Sequence, residues 1–332
     1  WYTTDDVPGE NPIFVADYGF SNSTSIDGEG LFQPRVGFTF ESSENLIIRG
    51  GVGVYSGGNP NVWLSNNFSS NNVLQFGQRG RSFGYTDGTR SLFDDDVVYE
   101  AVEASAPAGA GPGYGVPQEL FNAVAGGTGD NFEINYLDPD FEIPSEVKYA
   151  LGLTWYAPDD YVVNADILMT NADNTAIVLH GDLEQVGTTA DGYPQYDDVR
   201  EPTFVLTNSP VGDESFGLSV YISKAYDNGM DWSVGYAYTD AEDVSPMPSS
   251  VAFSNYQNRA FFDPQETVLS RSNYSIDHRI TATFKWEANF WSDYTTQFSV
   301  YGHYNQGVPF SRTFNGTRSP YGMSLIHISE TT

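Results

Sequence analysis

The sequence predicts an all-β protein: an antiparallel transmembrane β-barrel portion in which about eight long strands form an open curved sheet, with its long loops on one side. Three observations predict it. Apolar and polar residues alternate over segments of the length a tilted membrane strand needs. The connections between those segments alternate strictly between short and long. Aromatic residues gather at the short connections.

The alternation is clearest from the third segment onward. There Val147, Tyr149, Leu151, Leu153 and Trp155 share one face, and Lys148, Ala150, Gly152, Thr154 and Tyr156 the other. The fourth sets Tyr161, Val163, Ala165, Ile167 and Met169 against Asn164, Asp166 and Thr170, with Val162 and Leu168 blurring the pattern. The fifth sets Phe216, Leu218, Val220 and Ile222 against Gly217, Ser219, Tyr221 and Ser223. In the sixth, Trp232, Val234, Tyr236 and Tyr238 oppose Ser233, Gly235, Ala237 and Thr239. The seventh opposes Ile280, Ala282, Phe284 and Trp286 to Thr281, Thr283 and Lys285, and the eighth Phe298 and Val300 to Gln297, Ser299 and His303. Segments 31–40 and 45–55 follow the rule less cleanly, with Arg35 and Arg49 on their inner faces.

The short connections are 41–44, 157–160, 227–230 and 291–293, each rich in turn-forming Asp, Asn, Gly, Ser or Pro. The long ones span about 56–145, 171–213 and 241–276. A membrane barrel has this asymmetry, with short turns in the periplasm and long loops outside. Rings of Trp155, Tyr156, Tyr161, Tyr226, Trp232, Trp286, Phe290, Trp291 and Tyr294 crowd the short turns, where amphipathic aromatics favour the headgroup boundary. In the first long loop, 116–124 (VPQELFNAV) predicts a short helix with Pro117 in its first turn and Gly126–Gly127 ending it. That loop carries 12 Asp+Glu against 3 Arg, and structureless loops of such length are usually functional.

Composition narrows the function classes. Among 332 residues, 14 Lys+Arg face 44 Asp+Glu, a net charge of −30, which argues against nucleic acid as a partner and against attachment to anionic lipid by basic patches. No segment approaches the run of roughly 18 apolar residues of a spanning helix. The mean hydropathy of −0.37 is compatible with barrel strands, which show lipid only every second residue. With no Cys there is neither a disulfide framework nor a Cys-ligated metal. The opening WYTTDDVPGE has no signal-peptide character, so the chain is expected to start within a longer one.

FQPRVGFTF (32–40), LIIRGGVGVYSGGNPNVWLSNNFSSN (46–71), DPDFEIPSEVKYALGLTW (138–155), SKAYDNGMDWSVGYAYTDAED (223–243) and SNYSIDHRITATFKW (272–286) together resemble the barrel of TonB-dependent outer-membrane receptors, closest to the Oar-like branch. The resemblance covers nearly the whole chain to about Phe314. It implies residence in the bacterial outer membrane, lipid contact, and transport of a large ligand in a machine whose plug domain and TonB complex lie outside this chain. A family barrel has about 22 strands, so the eight here would be a C-terminal barrel fragment. Residues 1–314 are then the partial barrel, and 315–332, ending MSLIHISETT, break the alternation and read as an atypical, artefactual tail.

Little catalytic chemistry is legible, and the chain is expected not to be an enzyme. His180, His278, His303 and His327 form no HExxH or other close pair, and the Asp277-His278-Arg279 triplet lacks a GxSxG nucleophile, so rim or lumen hydrogen bonding is expected of it. The Gly-rich stretches 50–58 and 109–115 miss GxGxxG spacing. Residues 94–96 and 138–142 could supply oxygens to Ca²⁺, but they lack EF-hand spacing and fit solvated acidic loops better; no cofactor is expected. Trp63 and Tyr114 are the candidate contacts for an extracellular ligand, against the simpler role of packing loops together. The competing reading is a soluble secreted β-sandwich or lectin-like binding module with acidic calcium-binding loops. It differs in one respect: a sandwich buries its alternating apolar face under a second sheet.

Overall fold

A computed structural model describes residues 9–56, 61–71, 73, 133–190, 192–198, 203–259, 261–291, 294–315 and 325–328. Its dominant element is one antiparallel sheet. Strands β1 (Arg35–Ser43) and β2 (Leu46–Ser56) form the first hairpin. After α2 (Asn61–Ser69), which follows the earlier helix α1 (Pro12–Tyr18), and the short β3 (Ile134–Leu137), the wall continues with β4 (Ser145–Ala157) and β5 (Tyr161–Asp173). Four short strands come next: β6 (Ala176–His180), β7 (Leu183–Thr188), β8 (Pro194–Asp198) and β9 (Thr203–Asn208). The wall then resumes with β10 (Glu214–Ala225) and β11 (Met230–Asp243). Helix α3 (Ala252–Gln257) and β12 (Ser270–Arg271) precede the last wall hairpin, β13 (His278–Trp291) and β14 (Tyr294–Asn305). A separate pair, β15 (Arg312–Asn315) and β16 (Leu325–Ile328), ends the described chain.

The wall order is β1-β2-β4-β5-β10-β11-β13-β14, eight long strands, with the small β12 pairing to β11. This is the expected open sheet. Among the described residues β1 and β14 each have a wall neighbour on one side only. Segment 31–40 shifts to Arg35–Ser43: Pro34, which has no N–H, stands at the strand's threshold and only accepts a bond, from Val54 N at 2.9 Å. At the other end of β1 the ladder continues through a register shift to Ser43, narrowing the first turn to Glu44 and Asn45.

Register carries the face assignment across the whole sheet. One row runs Phe40, Ile48, Leu153, Ala165, Val220, Tyr236, Ile280, Tyr304. The adjacent row on the opposite face runs Thr39, Arg49, Gly152, Asp166, Ser219, Ala237, Arg279, Asn305. On the apolar face Phe38, Leu151, Ile280 and Val300 stay 54%, 51%, 45% and 65% exposed, so this face does not pack against the protein's own core. Eleven residues at roughly 3.3 Å each, tilted by about 40°, span about 28 Å, enough for the apolar band of an outer-membrane barrel.

The long connections are folded, which their lack of alternation did not suggest. A three-stranded sheet orders β3-β9-β6, with β3 parallel to β9, and β7 and β8 form a hairpin. The core sits here. Ile26, Leu64, Leu137, Phe141, Ile143, Ala176, Val178, Phe204, Leu206, Ala252 and Tyr256 make one buried cluster, and Phe14, Ile134 and Tyr136 a second.

Candidate functional site: the loop cap and the polar wall face

The cap is assembled from chain segments far apart in sequence, and asparagine side chains tie them together. Asn11 caps α1 by accepting from Ile13 N and Phe14 N, while its amide donates to the Asn71 carbonyl at 3.1 Å. Asn66 on α2 donates to Ser250 O at 2.7 Å and accepts from Ala252 N at 3.2 Å, clasping the start of α3. Asn208 donates to Glu142 O and Asn174 O and accepts from Glu142 N, at 2.9, 2.7 and 2.7 Å. A buried amide with both halves occupied fixes loop geometry, because leaving either half unmet costs about 1–3 kcal/mol. Nothing in the local sequence distinguishes these asparagines from those of a solvated loop; their partners lie tens of residues away.

Aromatic packing completes the cap. Phe14 stacks on Tyr18 at 4.4 Å between centroids and leans on Tyr136 at 4.8 Å, and the Tyr18 hydroxyl meets Thr203 Oγ1 at 2.9 Å. Tyr256, fully buried, contacts His180 and Phe204. His180 is held through its backbone by Gln265, whose side chain accepts from its N–H and donates to its carbonyl. The β7–β8 hairpin is latched by Tyr196, whose hydroxyl donates to Asp263 at 2.8 Å. Arg259, only 3% exposed, donates to Pro264 O, and burial lowers its affinity for a proton while Tyr256 and Asp263 support the cation.

The candidate residues distribute as follows. Trp63 is half-buried against the larger cluster, and its indole N–H donates to Ser249 O at 3.1 Å, so its polar atom is committed to joining α2 to the 244–251 segment. Tyr114, the 116–124 helix, the 109–115 glycines and the 94–96 acids lie outside the described residues. Within 138–142, Asp138 accepts from Thr207 Oγ1 at 2.6 Å and from Asp140 N at 3.0 Å, and Glu142 accepts from Asn174 Nδ2 at 2.6 Å. Those carboxylates organise the loop, and among the described residues no group of three or more acidic or imidazole side chains is placed to hold a metal.

Asp277, His278 and Arg279 do not act together: neighbours in a strand point to opposite faces. Asp277 pairs with Arg271, His278 meets the Tyr236 hydroxyl at 2.9 Å, and Arg279 donates to Asn305 at 2.8 Å. Among the described residues, two carboxyls outside the wall strands are shifted by burial. The Asp213 carboxyl is pushed up chiefly by burial; the Val244 amide it accepts from opposes this, and Asp243 and Glu146 add to it. Glu133 is likewise raised by burial, with the Asn135 amide opposing.

The most extended charge-assisted network on the polar wall face centres on Arg49, beside the simpler pairs Lys148–Glu146 and Lys285–Glu287. Arg49 donates to Asp166 at 2.6 Å and to Thr154 at 2.9 Å, and Thr154 donates to Asn164 at 2.7 Å. Arg49 and Asp166 sit on β2 and β5, with β4 between them, and they meet because the intervening residue is Gly152. A Cβ there would lie 2.3 Å from Asp166 Oδ1 and 3.1 Å from the Arg49 guanidinium.

A single lipid-length wall with one apolar and one polar face, short turns at one end and a packed cap at the other, defines a membrane barrel protein. The profile of the family described as "Outer membrane beta barrel domain" matches residues 3–319, and the chain belongs to that family, which sets it in the bacterial outer membrane. No curated protein sequence matches it. Among solved structures it is similar to the transporter YddB of Escherichia coli (11% identity, 87% of this chain and 30% of that one, TM-score 0.45). It is also similar to a mutant of the ferric enterobactin receptor PfeA of Pseudomonas aeruginosa (9% identity, 89% and 30%, TM-score 0.42). A third is the siderophore receptor PirA of the same organism (13% identity, 83% and 35%, TM-score 0.36). The chain spans about a third of the length of these structures.

Proposed function

We propose that the chain is part of a TonB-dependent receptor of the Oar-like branch, which moves a large ligand across the outer membrane. One observation carries this reading: a wall of eight long strands whose two flanking strands, among the described residues, each leave an edge to be paired, under a cap of folded outer loops. Unpaired backbone groups cannot face lipid, so the wall needs further strands to close. A barrel of about 22 strands would be wide enough to need a plug, and the flat polar face, with Gly37, Gly51, Gly217 and Gly235 beside the Arg49–Asp166 network, suits a domain lying against it. The exposed apolar face supports lipid contact over the soluble sandwich alternative, in which a second sheet would cover it. The cap would capture the extracellular ligand, with Trp63 setting its shape and Tyr114 a contact.

The test uses the complete open reading frame. Expressed in outer membranes with a photo-crosslinker in its periplasmic N-terminal segment, the protein is expected to trap TonB in an energised cell and to conduct no ions in a planar bilayer until the plug is deleted. A constitutively open pore with no TonB adduct would overturn the proposal.

A further inference from the structure

Within the eight wall strands the apolar face is charged only near its ends, with carboxylates at the outer end and one lysine at the short-turn end, where the adjoining turns carry Asp159, Asp160 and Asp227. At the outer end its register positions hold Asp173, Glu214, Asp240 and Glu242. At the short-turn end they hold Lys224, paired in register with Tyr161 on β5 and Trp232 on β11. The lysine ammonium lies 4.3 Å from the Tyr161 ring centroid and 4.8 Å from that of Tyr226. Tyr161 packs edge-on to Trp232 at 6.1 Å, and the Trp232 indole N–H points to the Tyr226 hydroxyl at 3.5 Å. Two tyrosine rings, braced by Trp232, thus hold one cation at the level of the short turns. Among the described residues it has no carboxylate partner.

Ring faces stabilise an ammonium without using up its N–H donors, and a lysine stem lying along apolar surface leaves its head at the boundary. We propose that Lys224, Tyr161, Tyr226 and Trp232 form a binding site for the phosphate of a periplasmic-leaflet phospholipid. The rings bed the acyl–glycerol region and the ammonium meets the phosphodiester. The site is placed in this leaflet by position, because Lys224 is the one cation on the apolar face of the eight wall strands and it stands at their short-turn end. The site follows from membrane residence alone and does not depend on the ligand or on TonB.

Native mass spectrometry of the complete receptor in detergent, titrated with phosphatidylglycerol, reads the site directly. Lys224→Gln is expected to retain roughly five-fold less lipid, the fold-change that one lysine at a headgroup surface supplies. Lys224→Arg should keep most of the retention, and Lys285→Gln on the polar face should change nothing. Dioleoylglycerol, which lacks the phosphate, should bind the native protein and Lys224→Gln alike. Equal phosphatidylglycerol retention by native protein and Lys224→Gln would overturn the proposal and leave the lysine as an internal fastener of the aromatic cluster. Equal loss in Lys224→Arg and Lys224→Gln, both folded by circular dichroism, would overturn it as well.

Discussion

The wall and the cap are built from similar residues yet solve opposite problems. Among the described residues, none of the fully buried large apolar side chains lies in the eight wall strands; those described belong to the cap and the segments leading into it. The wall instead leaves Phe38, Leu151, Val300 and their row-mates open. Apolar area is therefore stabilised by two different solvents in one chain. In the cap, protein covers protein; on the wall, lipid is the missing neighbour. Hydrogen bonding divides the same way, since the wall satisfies its backbone by regular register and the cap relies on side chains such as Asn11, Asn66 and Asn208.

This contrast can be broken from either side. The largest effect is expected from Tyr256→Ala, which empties a fully buried site against His180 and Phe204 and should cost the cap about 3–5 kcal/mol. Limited proteolysis should then cut the outer loops while the wall keeps its β circular dichroism; loss of both together would show that cap and wall fold as one unit. Next is Leu151→Arg, at the middle of β4 on the apolar face. It should destabilise the protein by roughly 2–4 kcal/mol in lipid vesicles, measured by denaturant unfolding, and leave cap proteolysis unchanged. A neutral result in lipid would mean that this face does not meet the bilayer.

Gly152→Ala should cost about 1–3 kcal/mol, because the added methyl must push Asp166 off Arg49. Pairing it with Asp166→Ala tests the cause: the double variant should lose less than the sum of the singles. The smallest effect concerns pH. The folded state raises the Asp213 carboxyl and so binds more protons than the unfolded chain between the ordinary carboxylate range and the raised value. Cap stability should therefore fall as pH rises through that interval, and Asp213→Asn should flatten the slope and resist proteolysis better at neutral pH. A steeper slope in the variant would reverse the assignment.

How much was legible follows the same division. Strands such as Ser145–Ala157 and Met230–Asp243 show lipid on one side and lumen on the other, so their faces are written in alternate residues. Strands β3 and β6 are buried on both sides, erasing the period, and neither showed in the sequence. Trp63 was visible as an aromatic in a loop, but its bond to Ser249, 186 positions away, was not. The Arg49–Asp166 pair spans 117 positions and depends on Gly152 occupying the register position between them.

The sequence by itself determined the class of solvent each strand faces, the number of long strands, and which end of the sheet carries the loops. Those properties are local, fixed by period-2 side-chain geometry and by turn chemistry within a few residues. Only the tertiary structure decided that the loops form a packed cap, which carboxylates are buried there, and that Lys224 lies against the Tyr161 and Tyr226 rings at the short-turn end. Each of these depends on residues brought together from distant segments, and the energy that selects such contacts is absent until the chain has closed around them.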